Sequence, residues 1–163
     1  MHRLIDVSSA VISEDALRKG AGTRLVCAES GPKVGDLPLE ILIGKARVVD
    51  VAAAEQVERA DLEGADLRDD IRLLIKNAAP LSEDAATYLA QAGLKLVGLP
   101  AQAAVAGAGA RRSLKILRDG GVIVVLNLEL AEVPPGDYDL TCLPLRIGGA
   151  TESPARVVLR ARS

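Results

Sequence analysis

The chain has 163 residues, 49% of them hydrophobic and 26% charged, with a net charge of −2. That balance suits a soluble globular domain and excludes a disordered chain or a strongly basic nucleic-acid binder. Tyr88 and Tyr138 are the only aromatic residues and His2 the only histidine, which excludes a base-stacking platform, an aromatic cage for a cation, and a mechanism built on several histidines.

In chain order, residues 4–7 form a short apolar run. Ser13 reads as the N-cap of a helical turn with Glu14 and Asp15 in its first turn. Residues 24–28 read as a strand, and residues 46–51, rich in valine, as a stronger one. Residues 53–70 are charged and carry Gly64, so they read as a surface helix or two turns. Residues 71–76 form a strand bounded by Ala78, Ala79 and Pro80.

Ser82 caps a helix that places Ala85, Tyr88, Leu89 and Ala92 on one face and stops at Gly93. Residues 94–98 return as a strand. Gly107 and Gly109 precede a helix over 111–118, ended by Gly120 and Gly121. The unbroken apolar run 122–126 predicts a strand covered on both faces. Residues 134–137 form a turn, and 139–145 and 156–160 form two strands joined through Gly148 and Gly149. The β-α-β-α-β order in the middle predicts a parallel or mixed sheet with helices packed on it. The chain reads as one domain over 1–163.

The two cysteines, Cys27 and Cys142, are far apart and form no Cys-x-x-Cys pair. In apolar surroundings they read as buried, reduced thiols of a cytoplasmic protein, with a disulfide between them left open. The opening Met-His-Arg-Leu-Ile-Asp lacks the apolar core of a secretory signal, and no run approaches the roughly 20 residues needed to cross a bilayer.

Four cations are candidate ligand-binding residues. Arg111 and Arg112 follow Gly107-Ala108-Gly109-Ala110 at a helix start, where backbone N–H groups attract carboxylate or phosphate. Lys33 lies three residues after Ser30, the spacing of a Ser-Lys pair, and Lys76 ends a strand where polar residues line pockets in α/β sheets. Asp36 and Glu40 read as solvated surface carboxylates.

Several pieces, in order, resemble the cyclase superfamily that includes bacterial kynurenine formamidases. Arg3-Leu4-Ile5-Asp6-Val7-Ser8 is similar to its opening strand, and Leu37-Pro38-Leu39-Glu40 with Val48-Val49-Asp50-Val51 to its Pro-Leu-Glu and Val-x-Asp-Val segments. The helix and strand over 85–98 resemble its helix followed by Leu-Val-Gly. Asn127-Leu128, then Pro135-Gly136-Asp137-Tyr138, Leu143-Pro144-Leu145-Arg146-Ile147 and Pro154-Ala155-Arg156 are similar to its C-terminal signature.

The resemblance implies a swivelling β/β/α fold with a mixed sheet, and a dimer or tetramer. Active members of that family carry His-x-Gly-Thr-His-x-Asp-x-Pro-x-His before the Pro-Leu-Glu segment. These residues bind zinc or manganese and supply the catalytic histidine. A Glu precedes the Asn-Leu pair, and a further His lies on the helix corresponding to 111–117.

Here the first block reads as cut out around residues 30–36, Leu126 stands at the Glu position, and no histidine lies on the helix. The expectation is therefore a cyclase-like protein without metal, cofactor or catalytic residues. It would be a non-catalytic subunit that binds a small carboxylate or phosphate, with no nucleic-acid or membrane partner. It would form a homo-oligomer, or a hetero-oligomer with an intact paralogue that supplies the site. The alternatives are a metal-independent hydrolase or cyclase acting on a small carbonyl substrate in a rebuilt pocket, and a trimmed scaffold without activity.

Overall fold

Leucine- and valine-rich runs form the strands, and the alternation of their side chains decides what each face meets. The computed structural model describes residues 3–11, 13–52, 55–65, 67, 72–76, 79–101, 103 and 107–162. His2, Ile71, Asn77 and Ala78, which entered the sequence reading, lie outside the described residues. The strands are Leu4–Asp6 (β1), Arg24–Val26 (β2), Ile43–Asp50 (β3), Arg72–Lys76 (β4), Leu96–Pro100 (β5), Ile123–Leu128 (β6), Gly136–Pro144 (β7) and Glu152–Ala161 (β8). The helices are Glu14–Arg18 (α1), Leu39–Leu42 (α2), Arg59–Leu62 (α3), Glu83–Gln91 (α4) and Gly107–Asp119 (α5), with a 3-10 turn at Val34–Asp36.

The eight strands of the described residues run β1-β8-β2-β6-β5-β4-β3-β7. The consecutive pairs from β3 to β6 are parallel. β2 lies antiparallel to β6, and β7 antiparallel to β3. β8 pairs with β7 from Tyr138 to Pro144 and with β2 at residues 152–154, so the sheet closes on itself like a barrel. β1 sits on the far end of β8, with Leu4 opposite Arg160. The fold is thus the mixed α/β architecture of the sequence reading.

Two apolar layers follow from the period-two alternation of the strands. Leu74 of β4 faces the interior with Leu25, Leu96, Val125, Leu140 and Val157. Its neighbours Leu73 and Ile75 face outward against Ala85 and Leu89 of α4 and Leu117 of α5. Both faces of β4 are therefore buried, which accounts for its continuous apolar run. Among the described residues no helix is long and apolar enough to cross a membrane.

The helix caps are local and match their sequence signals. Ser13 Oγ accepts from Ala16 N at 3.1 Å, and Ser82 Oγ from Ala85 N at 3.0 Å. In the stretch over 53–70 the helix is short, Arg59–Leu62. It is closed by a reciprocal box between Glu58 and Asp61. α5 starts at Gly107, ahead of the expected 111.

A buried arginine organises the entry to β3. Arg72, 3% exposed, donates to the carbonyls of Ile41 at 2.8 Å, Ile43 at 2.8 Å and Lys45 at 3.0 Å, and also to that of Glu40. It satisfies the last carbonyls of α2 and turns the chain into β3. Gly44 sits against it at φ +145°, and a Cβ there would lie 2.7 Å from Arg72 Nη1. Glycine is the residue that both the backbone and the space allow.

Candidate functional site

The junction of β1, β2, β6 and β8 holds a connected set of side-chain bonds around the Asn-Leu signature. Asn127 adopts φ +61°, uncommon for any residue but glycine. Its Nδ2 donates to the Gly22 carbonyl at 2.8 Å, and its own carbonyl accepts from Thr23 Oγ1 at 2.8 Å. Thr23 Oγ1 in turn accepts from Ser9 N at 2.8 Å. On β8, Val157 N donates to Ser8 Oγ at 2.7 Å, and Ser8 Oγ donates back to the Val157 carbonyl at 3.3 Å. These bonds fasten the chain leaving β1 to β8 and to the lead-in of β2.

A cavity of about 490 Å³ opens over this junction, with Ser8, Ser9 and Thr23 among its polar lining and Val11, Leu17, Leu143 and Leu145 among its apolar lining. Asp6 and Arg156 also line it, joined through Nε at 2.9 Å and Nη2 at 2.5 Å. Burial raises the Asp6 pKa, but the hydrogen bonds from Arg156 and Ser8 outweigh it and hold the carboxyl below its ordinary value. A second cavity, of about 390 Å³, lies beside the 3-10 turn, between Asp36, Leu39 and Leu143. Arg146 reaches across from the end of β7 and donates to the Gly35 carbonyl at 3.2 Å.

On the neighbouring strand face, Arg24 of β2 reaches Glu152 of β8, Nη2 to Oε1 at 2.7 Å. The arginine side chain is 16% exposed and the glutamate 55%. Both cysteines are buried and free. Burial pushes the Cys142 thiol up to about 12. Burial also raises Cys27, against the smaller opposing effect of Lys33 and other groups, and its Sγ donates to the Thr151 carbonyl at 3.2 Å. Neither is a thiolate at neutral pH, so neither is an activated nucleophile.

The four cations taken from the sequence sit at three separate places. Lys33 precedes the 3-10 turn and donates to the Glu29 carbonyl. Lys76 ends β4, 3.9 Å from Asp50. Arg112 pairs with Glu83 of α4 at 3.1 Å, and Arg111 is exposed beside it on α5. Only the two arginines are neighbours. Among the described residues no three His, Cys, Asp or Glu side chains are grouped so as to hold a metal ion. The donor set here does not fit the divalent-metal centre that the sequence resemblance implies, which requires about three N, S or O ligands.

No family model matches the chain. The kynurenine formamidase of Salinibacter ruber is 33% identical over 177 residues, spanning 95% of this chain and 82% of that protein. The chain belongs to the cyclase and kynurenine formamidase family. The kynurenine formamidase of Bacillus cereus is 29% identical over 144 residues, covering 80% of this chain and 68% of that protein. A solved structure described as a potential metal-dependent hydrolase with cyclase activity superposes with a TM-score of 0.85 at 23% identity, each chain covered in full. It shares the fold.

The Thr23–Asn127 bond and the cavity above it were not legible beforehand. The one signal available was the family's Asn-Leu pair, which marks Asn127 but not its partners.

Proposed function

We infer that this member of the cyclase and kynurenine formamidase family has lost metal-dependent amide hydrolysis. It binds a small carbonyl compound in the cavity at the β1–β2–β8 junction as a non-catalytic subunit. The observation that carries this reading is the use of the cavity's hydroxyls. Ser8 Oγ and Thr23 Oγ1, two of those hydroxyls, are each engaged as donor and acceptor with the backbone. The carboxylate beside Ser8, Asp6, is itself held by Arg156, with its pKa lowered, rather than set to take a proton from a hydroxyl. The apolar walls and the Asp6–Arg156 pair suit a ligand with an apolar body and a polar carbonyl or carboxylate end.

The chain acts in an oligomer of its own kind. Leu39 and Leu145, each 60% exposed, and Leu143, at 49%, are large apolar residues on one side of the fold, around the second cavity and the mouth of the first. A cytoplasmic setting suits the two free thiols. Arg111 and Arg112 lie within α5, past its first turn and with Arg112 on Glu83, so the helix-start N–H groups are not theirs. They are a separate candidate contact for a carboxylate or phosphate, and a thermal-shift screen in which Arg112→Ala changes nothing would remove it.

The test is a paired measurement on the purified chain: hydrolysis of an aryl formamide and an aryl ester with and without added zinc or manganese, and a thermal-shift screen of the same compounds' unreactive analogues. The reading predicts shifts without turnover. Metal-stimulated turnover would overturn it.

A further inference from the structure

The disagreement between the family's metal pattern and the donors present has a definite place in the fold. A His-x-Asp pair on a strand puts both side chains on one face, because the side-chain period is two. A third ligand directly across on the next strand has its Cβ about 5 Å away. The region expected to have lost the pattern, residues 30–36, cannot supply such a face, since Val34–Asp36 is a 3-10 turn.

β2 can supply it. Its lead-in, Gly22-Thr23, repeats the Gly-Thr of the pattern, and Arg24 and Val26 then occupy the His and Asp positions. Arg24 stands directly opposite Leu126 of β6, the residue at the family's Glu position. Val26 stands opposite Glu152 of β8. Arg24, Val26, Leu126 and Glu152 therefore share one sheet face, while Leu25 and Cys27 between them point into the interior.

We propose that the metal pattern is overwritten at residues 20–30 rather than cut out at 30–36, and that the Arg24 guanidinium, held on Glu152, takes the place of the cation. The chain carries its positive charge covalently at that face. This rests on the functional reading above and goes further, because it assigns the residues that replaced the ligands and predicts that the site can be rebuilt.

The experiment replaces two residues, Arg24→His with Leu126→Glu, leaving Glu152 as the third donor. The variant, a control carrying Arg24→Gln with Leu126→Gln, and the wild type are incubated with excess zinc, desalted and measured by elemental analysis, alongside thermal melts with and without zinc. The expected result is one zinc per chain in the His/Glu variant, with a rise in its melting temperature on adding zinc, and none in the control or the wild type.

Equal zinc in the control and the variant overturns the proposal, and so does a folded variant without zinc. A variant that folds only when zinc is present supports it. One that stays unfolded with or without zinc overturns it, because this face would then not accept those donors. Zinc in the wild type sinks the functional reading itself, whereas a metal-free wild type with a metal-free variant sinks only the present assignment.

Discussion

Thr23, just ahead of β2, and Asn127 of β6 are joined by a 2.8 Å bond from the threonine hydroxyl to the asparagine carbonyl, at the residue whose backbone is held at φ +61°. The bond accounts for how the strained conformation persists. The Asn127 amide, anchored on Gly22, and the Thr23 hydroxyl, anchored on Ser9, hold it from two sides. The floor of the larger cavity thus rests on three segments distant in sequence.

Thr23→Val removes the hydroxyl while keeping the shape, and leaves the Ser9 amide and the Asn127 carbonyl without it. The expected loss is about 1–3 kcal/mol in denaturant unfolding. Asn127→Ala should cost a similar amount. The double variant should lose less than the sum of the two, because both changes dismantle one network. Simple additivity would show that the two residues act independently.

Arg72 should be the most costly charged residue to remove. Replacing it with methionine keeps much of its length but leaves the carbonyls of Glu40, Ile41, Ile43 and Lys45 without the guanidinium. A loss of at least about 3 kcal/mol is expected. Gly44→Ala should also destabilise, since both its φ and the contact with Arg72 oppose a Cβ. Guanidinium titration with circular dichroism checks both. A cost for Arg72→Met no greater than that of an exposed arginine would contradict the clamp.

The caps at Ser13 and Ser82 and the parallel run from β3 to β6 were legible in the sequence because each depends on neighbours in the chain or on a repeated β-α unit. Closure of the sheet was not, since it depends on β8 pairing with both β7 and β2, and no short-range pattern encodes that. α2 was missed for a related reason. Its N-cap is Pro38, with no side-chain cap, and its end is made by Arg72, which reads locally as a charge at the start of an apolar strand. Lys33, Lys76 and Arg112 were legible as cations, but not the partners each of them meets.

The buried thiols give a pH dependence with a definite sign. Cys142 has an ordinary value of 9.0 and about 12 in the folded chain. The folded state keeps its proton while the unfolded state loses it, so the stability it contributes is full below pH 9 and falls as pH rises from there towards 12. Cys142→Ala should flatten that alkaline decline relative to the wild type. In the native protein at neutral pH both cysteines should resist a thiol reagent, and both should react once it is denatured. Rapid labelling of either native thiol would show that the packing around it opens.

The claim on which the functional account stands is that this chain does not hold a divalent ion of its own. Its most direct measurement is elemental analysis of protein purified without chelators and dialysed against metal-free buffer. Zinc and manganese should be far below one per chain. Either metal at one per chain, retained through dialysis, would contradict the account.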